Sequence, residues 1–402
     1  MCAVHVGLGI GPEYVPPHKA GLRALTQQVL LTRIREGINN QDELARLRQE
    51  GTQGASFSVE TQWDHVEFVA SATSSQLPTL LEYMARAIFE ATWSQDDIVN
   101  AREMIVRDKL ANDGGMGPAS ENAFHLFRRA LVGDSPLAQP IFGTEKTLQS
   151  VTLADVKSFY RSYYVPNLTA VCVVSPLPAG DATDLARRSF GHLKSRKVAR
   201  TESIRLGADQ TKVELGISPE LNHAVVVVGI PVPPMGSKEF AIAEVVHASL
   251  SGPRGAFALD EELASSVPTP SRPGAGPVPP ATVLPIPMSR APYLAAFGRT
   301  LPTAVDDLRK GILRHLLKLS AKPMSEAELH RAKTRAINAH MLPMDTPVIA
   351  ATILSRRFLL TDKFDAGGDF ATQVAELSAE DVQAFAKTHF VRHAVGVMMP
   401  GS

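Results

Sequence analysis

The chain repeats itself at about half its length. The segment Val151-Thr-Leu-Ala-Asp-Val-Lys-Ser-Phe-Tyr-Arg-Ser-Tyr-Tyr-Val165 can be laid on Leu377-Ser-Ala-Glu-Asp-Val-Gln-Ala-Phe-Ala-Lys-Thr-His-Phe-Val391, with Asp155 on Asp381, Val156 on Val382 and Phe159 on Phe385. Each copy opens on a Thr or Ser N-cap, continues as a short amphipathic helix and runs into an apolar strand. A second pair, Ser94-Gln-Asp-Asp and Ser325-Glu-Ala-Glu, has the Ser-x-x-acid form of a capping box. Leu377 lies 226 residues after Val151, and Ser325 lies 231 after Ser94. Two agreements at nearly one offset are the mark of a duplicated domain. A chain of 402 residues also exceeds what one hydrophobic core organises.

The order of elements within the halves fixes the fold class. In the first half, a strand near Ala3–Ile10 precedes a helix from about His18 to Arg35 and a hairpin with arms Ser56–Thr61 and Val66–Ala70. Helices over about Leu77–Ala91, Gln95–Ala111 and Ser120–Leu131 follow, and Leu77, Leu81, Met84 and Ile88 form one buried stripe. In the second half, Ala224–Ile230 reads as a buried strand and Phe240–Leu250 as a helix. The expected architecture is α+β: two duplicated domains, each an antiparallel-rich sheet with helices packed on one side. The domains are placed at 1–195 and 211–402, joined by a linker at 196–210. The Pro-rich stretch 265–287 is read as an inserted surface loop, because Pro and Gly at this density break helix interiors and central strands.

Composition removes several function classes. Lys and Arg number 41 and so do Asp and Glu, which excludes a strongly basic nucleic-acid binder. The longest apolar run, Ala224–Val232, is about half of what a membrane span requires. Two cysteines, Cys2 and Cys172, supply neither a disulfide framework nor a zinc cluster. The N-terminus MCAVHVGLGIG has no basic n-region or cleavage motif, so it is read as a strand and the expected location is cytoplasmic. The glycines of Gly7-Leu-Gly-Ile-Gly11 have the wrong spacing for a dinucleotide-binding loop.

Several segments resemble the M16 (pitrilysin-like) zinc peptidases, in the short two-domain form related to mitochondrial processing peptidase subunits and respiratory core proteins. They are Gly143-Thr-Glu-Lys-Thr-Leu through Tyr164-Val-Pro-Asn167, Pro16-Pro-His-Lys-Ala-Gly-Leu22, Gly54-Ala-Ser-Phe-Ser-Val-Glu-Thr61, Ser218 to Pro231 and Glu328-Leu-His-Arg-Ala-Lys333. Active members carry H-x-x-E-H on the first helix, two imidazoles at i and i+4 holding Zn²⁺ while the Glu activates water, and a distant Glu completes the site. At the corresponding positions this chain has Ala24, Gln27 and Gln28, with Asp108 in the place of the distant Glu and Ala101 in that of a helping acid. The resemblance therefore implies a noncatalytic member without a cofactor of its own, zinc being expected only in a partner.

The same resemblance implies a role. An inactive member is expected to pair as a heterodimer with an active M16 homologue and help enclose a peptide-processing chamber, with no nucleic acid partner. The edge strand around Ser56, Phe57, Ser58 and Val59 is the candidate for capturing a peptide or unfolded polypeptide through main-chain hydrogen bonds. Some partners also donate an Arg and a Tyr from the C-terminal half. Asp260 and Val267 stand at those positions here, with Arg254 as a substitute. Two alternatives stay open: a zinc peptidase with relocated ligands, for which His18, His65, His389 and His393 are the candidates, or a structural subunit of a larger complex.

Overall fold

The computed structural model describes residues 1–39, 56–110, 118–198, 212–219, 221–237, 239–251, 255, 261–268, 281–286, 291–341, 344–363 and 370–401. Its strands are β1 (Cys2–Leu8), β2 (Ser56–Thr61), β3 (Val66–Ala72), β4 (Thr169–Val174), β5 (Lys212–Ser218), β6 (Ala224–Pro231), β7 (Thr282–Ile286), β8 (Tyr293–Thr300) and β9 (Ala394–Pro400). They form two sheets, ordered β2-β3-β1-β4 and β5-β9-β6-β8-β7. All pairings are antiparallel except β5 with β9. With β5 set aside, each sheet has the same order of strands, as a duplicated domain requires. The architecture is α+β.

Capping explains where many helices begin. Ser94, Thr152 and Ser378 each accept a hydrogen bond from the backbone amide three residues on, and the carboxylates of Asp97, Asp155 and Asp381 in turn accept one from the backbone amide of the cap residue. The last two are the equivalent caps that revealed the repeat. Such a cap is worth about 1 kcal/mol.

Two compact units are present, and neither is a continuous half of the chain. The first comprises 1–112, 139–202 and 343–364, and the second 113–138, 203–342 and 365–402. This differs from boundaries at 195 and 211 chiefly by an exchange of two helices. Pro347–Thr361 packs on β1, β3 and β4, and Pro118–Val132 packs on β5, β6 and β9. The physical reason lies in the strands: β1 and β3 are buried at every residue and β6 at all but its last, so each sheet needs cover on both faces. Helices thus lie on both sides of each sheet rather than on one. Most of the expected linker, 199–210, falls outside the described residues.

The Pro-rich stretch is not wholly a loop. Residues 282–286 form β7, and the helix Glu261–Ser266 reaches into the start of the stretch. Pro285 is tolerated because β7 is an edge strand, where a missing amide breaks no interior ladder. The rest of that stretch, 269–280 and Pro287, is outside the described residues, as are Arg254 and Asp260; Val267 is buried in the core.

Candidate functional site

The helix Leu22–Asn39 packs against β2 and against the helix Gln95–Ile105, and it carries the three motif positions. Ala24 is buried in the apolar core. Gln27 is 2% exposed, and its amide is fully engaged with the hairpin: Nε2 donates to the Glu60 carbonyl at 2.7 Å and the Glu67 carbonyl at 3.0 Å, while Oε1 accepts from the Thr61 hydroxyl. Both N–H groups and the carbonyl oxygen are used. Gln28 places Nε2 3.6 Å from the Met104 sulfur. Asp108 lies one turn beyond Met104, where the helix passes into the π-helical stretch Val106–Leu110; it is exposed, with Oδ1 2.9 Å from Arg107 Nε.

These positions do not fit zinc, which needs three or four nitrogen, sulfur or oxygen ligands at about 2 Å. Ala24 supplies none, the Gln27 amide is committed, Gln28 abuts a thioether and Asp108 pairs with Arg107. Ala101 is buried in the core. Among the described residues, no group of three or more His, Cys, Asp or Glu could hold a metal ion. His18 is exposed, and His389 stacks on Phe385 with its ring 3.9 Å from Glu239.

Beside Gln27 the fold assembles a buried ionic cluster centred on Glu67, itself 2% exposed. Arg356 Nε donates to Oε2 at 2.9 Å and Arg356 Nη2 donates to Oε1. Gln62 Nε2 donates to Oε1 at 3.1 Å, and His5 Nε2 lies 3.1 Å from Oε2. His65 Nε2 is 3.5 Å from the same oxygen, and its Nδ1 is 2.9 Å from Asp64 Oδ1. Glu67 is therefore held at both ends, by Gln27 at its carbonyl and by Arg356 and the two imidazoles at its carboxylate.

The electrostatics follow from this geometry. Burial would raise the Glu67 carboxyl, but hydrogen bonds from His5, His65 and Arg356 outweigh it and hold the group far below the usual carboxylate range. Burial dominates at His5 and lowers it against the pull of Glu67. At His65 burial also acts downward, but Asp64 and Glu67 overcome it and the ring is raised. Nearby, Arg23 donates to the carbonyls of Ile10 at 2.9 Å, His65 at 3.3 Å and Trp63 at 3.1 Å, and burial lowers its guanidinium to about 10. Opposite charges face one another and both carboxylate oxygens of Glu67 are engaged, an arrangement suited to holding the hairpin in place rather than to moving a proton or activating water.

The sequence reading missed His5, Glu67 and Arg356. The signal was present: His5 stands between Val4 and Val6, and Glu67 between Val66 and Phe68, in strands otherwise apolar. A polar residue there faces outward in a one-sided sheet but is buried, and needs partners, in a sheet covered on both faces. Ser56, Phe57, Ser58 and Val59 lie on β2, the outermost of the described strands of its sheet. Phe57 and Val59 pack on the core, while Ser56 and Ser58 are exposed.

Comparison with known proteins agrees with this fold. Residues 150–336 match the family model of the peptidase M16 inactive domain. An uncharacterized zinc protease of Mycobacterium leprae is 22% identical over 342 residues, 83% of this chain and 73% of that protein. One from Mycobacterium tuberculosis is 23% identical over 203 residues, 50% of this chain and 45% of its own length, so the match spans less than half of that relative. Subunit 1 of the bovine mitochondrial cytochrome b-c1 complex is 22% identical over 192 residues, 48% of this chain and 38% of that protein. The crystal structure of a protease from Helicobacter pylori superposes with a TM-score of 0.82 at 17% identity, covering 99% of this chain and 94% of the other. With the duplicated fold in view, residues 150–336 are similar to the peptidase M16 inactive domain, the chain shares the fold of the Helicobacter pylori protease, and its first helix lacks H-x-x-E-H.

Proposed function

We propose that the chain is a noncatalytic M16 subunit that pairs with a zinc-bearing homologue and offers the edge of β2 to an extended peptide in a shared processing chamber. The observation that carries this reading is the saturated Gln27 amide: the position of the catalytic base has become a clamp on the hairpin that ends in β2. An edge strand with one face packed and the other exposed suits main-chain capture of a peptide. Zinc belongs to the partner in this scheme, and the chain itself binds none. Co-expression with an H-x-x-E-H homologue, followed by size-exclusion chromatography and a peptidase assay, is expected to give co-elution and an activity the homologue lacks alone. Separate elution, with the homologue fully active alone, would remove the reading.

A structural role is the second reading, and the likeness to a named subunit of the cytochrome b-c1 complex supports it. Co-elution without any gain in peptidase activity would favour it. No described helix is long and apolar enough to cross a membrane, so a membrane complex would be joined through other subunits.

The clamp makes its own prediction. Gln27→Glu replaces two donors to the carbonyls of Glu60 and Glu67 by carboxylate oxygens, leaving three acceptors facing one another. The substitution is expected to destabilise the chain by about 2 kcal/mol at pH 7 in urea unfolding. Combining it with Ala24→His and Gln28→His is expected not to restore stoichiometric zinc, measured by metal analysis after purification without chelator. One tightly held zinc per chain in the triple variant would show that Asp108 can reach the site.

A further inference from the structure

The second unit contains a cavity of about 620 Å³ that the M16 reading does not use, within the size range of small-molecule sites. It lies where the helices Phe240–Leu250 and Val305–Ala321 end and the helix Glu326–Met341 begins. Leu250, Leu319 and Met324 give it an apolar floor continuous with the core of the unit. Four cations also line it, Lys318, Lys322, Arg331 and Arg335, against a single carboxylate, Glu328. That excess stands out in a chain whose formal charge is zero.

The one carboxylate is already occupied. Glu328 Oε2 accepts from the Ser325 amide at 2.8 Å and the Ser325 hydroxyl at 2.7 Å, capping its own helix. Lys322 and Arg331 act on Glu328 through longer-range attraction, and neither side chain has a hydrogen bond or ion pair among the described residues. Arg335 is held in place by Nη1, which donates to the carbonyls of Ser251 at 3.0 Å and Ala248 at 3.3 Å, leaving its other guanidinium nitrogens without a bond among the described residues. One fixed guanidinium, Arg335, and two exposed cations, Lys322 and Arg331, beside an apolar floor match one ligand chemistry: an apolar body ending in an anionic group.

From the cavity's volume, floor and charge together, we propose that this is a binding site for a small amphiphilic anion, a carboxylate or phosphate monoester carrying a hydrocarbon or aromatic tail. The anion meets Lys322, Arg331 and Arg335, and the tail lies on Leu250, Leu319 and Met324. The recognition is electrostatic at one end and hydrophobic at the other, so both ends can be tested separately.

Titration calorimetry of the full chain with dodecanoate and dodecyl phosphate, each kept below its micellar concentration, is the direct experiment. Both probes are expected to bind at one site per chain, and dodecyltrimethylammonium, with the same tail and opposite charge, at least about tenfold more weakly. Lys322→Glu with Arg331→Glu is expected to cost the anions about tenfold or more, and Leu319→Trp, which fills the floor without changing charge, a similar factor. Thermal unfolding checks that each variant is folded. Should the charge-reversed chain fail to fold, the wild-type chain still decides, because anion affinity is expected to fall as salt rises from low to high ionic strength. Equal affinity for the cationic and anionic probes, or unchanged affinity in both variants, would overturn the proposal. So would binding to anionic phospholipid vesicles without binding of the monomeric probes, which would make this a surface contact rather than a cavity.

Discussion

Where the helix Pro347–Thr361 lies on the sheet of the first unit, Leu359 and Ser355 close over Gly7, and Arg356 reaches the carboxylate of Glu67, the residue paired with Gly7 across β1 and β3. Where Pro118–Val132 lies on the sheet of the second unit, the Phe127 ring covers Gly229 and the helix backbone itself comes down on Gly396. Phe127 then stacks edge-on to Tyr293, with ring centroids 4.9 Å apart, and Phe124 packs on Phe297 at 5.8 Å. The strand order is shared, but one sheet is sealed by a charged cluster and the other by aromatic packing. Duplicated architecture thus fixes which faces must be covered, while the chemistry of the cover is free to diverge.

The largest effect is expected on the aromatic side. Phe127 is fully buried, so Phe127→Ala should cost about 4 kcal/mol in denaturant unfolding, the same at pH 5.5 and pH 8.5 because no titrating group is involved. On the charged side, Glu67→Ala leaves Arg356, His5 and His65 facing an empty space. We expect about 3 kcal/mol, the low end for breaking a buried pair, since the Arg356 side chain is 38% exposed and water screens part of the loss. A cost for Glu67→Ala above that of Phe127→Ala would reverse the comparison.

The glycines sharpen it further. A Cβ at position 396 would fall on the Ala123 carbonyl and the Phe127 amide, which are backbone and cannot rotate away. At position 7 the nearest atoms are the tip of the Leu359 side chain and, at 3.2 Å, the Ser355 hydroxyl, which can. Gly396→Ala is therefore expected to cost about 2–3 kcal/mol and Gly7→Ala about 1 kcal/mol, read from paired urea melts. Equal costs would mean that the helix on the second sheet can shift as easily as a side chain can turn.

These covers mark the limit of what the sequence discloses. The caps at Ser94, Thr152 and Ser378, the stripe from Leu77 to Ile88 and the strand Ala224–Ile230 are local, so pattern alone finds them. The two exchanged helices are a long-range choice: nothing within Pro347–Thr361 says that Arg356 will meet Glu67, 289 residues earlier in the chain. The loss of the motif at Ala24, Gln27 and Gln28 is legible residue by residue. What Gln27 does in its place depends on hairpin carbonyls whose position only the fold supplies. The cavity of the second unit was hidden for the same reason, since Leu250 and Arg335 are brought together by tertiary packing.

The smallest effect is also the one that separates the two covers most cleanly, because it depends on pH. Glu67 has its folded value depressed, so it stabilises the fold above the unfolded carboxylate value of about 4.5 and loses this only far into acid. His65 behaves in the opposite sense. Its folded value is raised, so its contribution is fully present below the unfolded value of about 6.5 and disappears as pH rises through the folded value. His5, lowered by burial, disfavours folding over part of the same acid range and so opposes the contribution of His65 in the wild-type chain. Replacing His65 alone uncovers its share: His65→Asn is expected to cost about 1 kcal/mol more at pH 5.5 than at pH 8.5, measured by urea unfolding at both. His5, Asp64, Glu67 and Arg356 are the titratable groups facing this ring or its carboxylate partner, and Glu67, held low, and Arg356, held high, stay charged throughout that range. A difference of the opposite sign, with the variant relatively more stable at pH 5.5, would mean that burial governs His65 as it governs His5, and that Glu67 is held by Arg356 without help from the second imidazole.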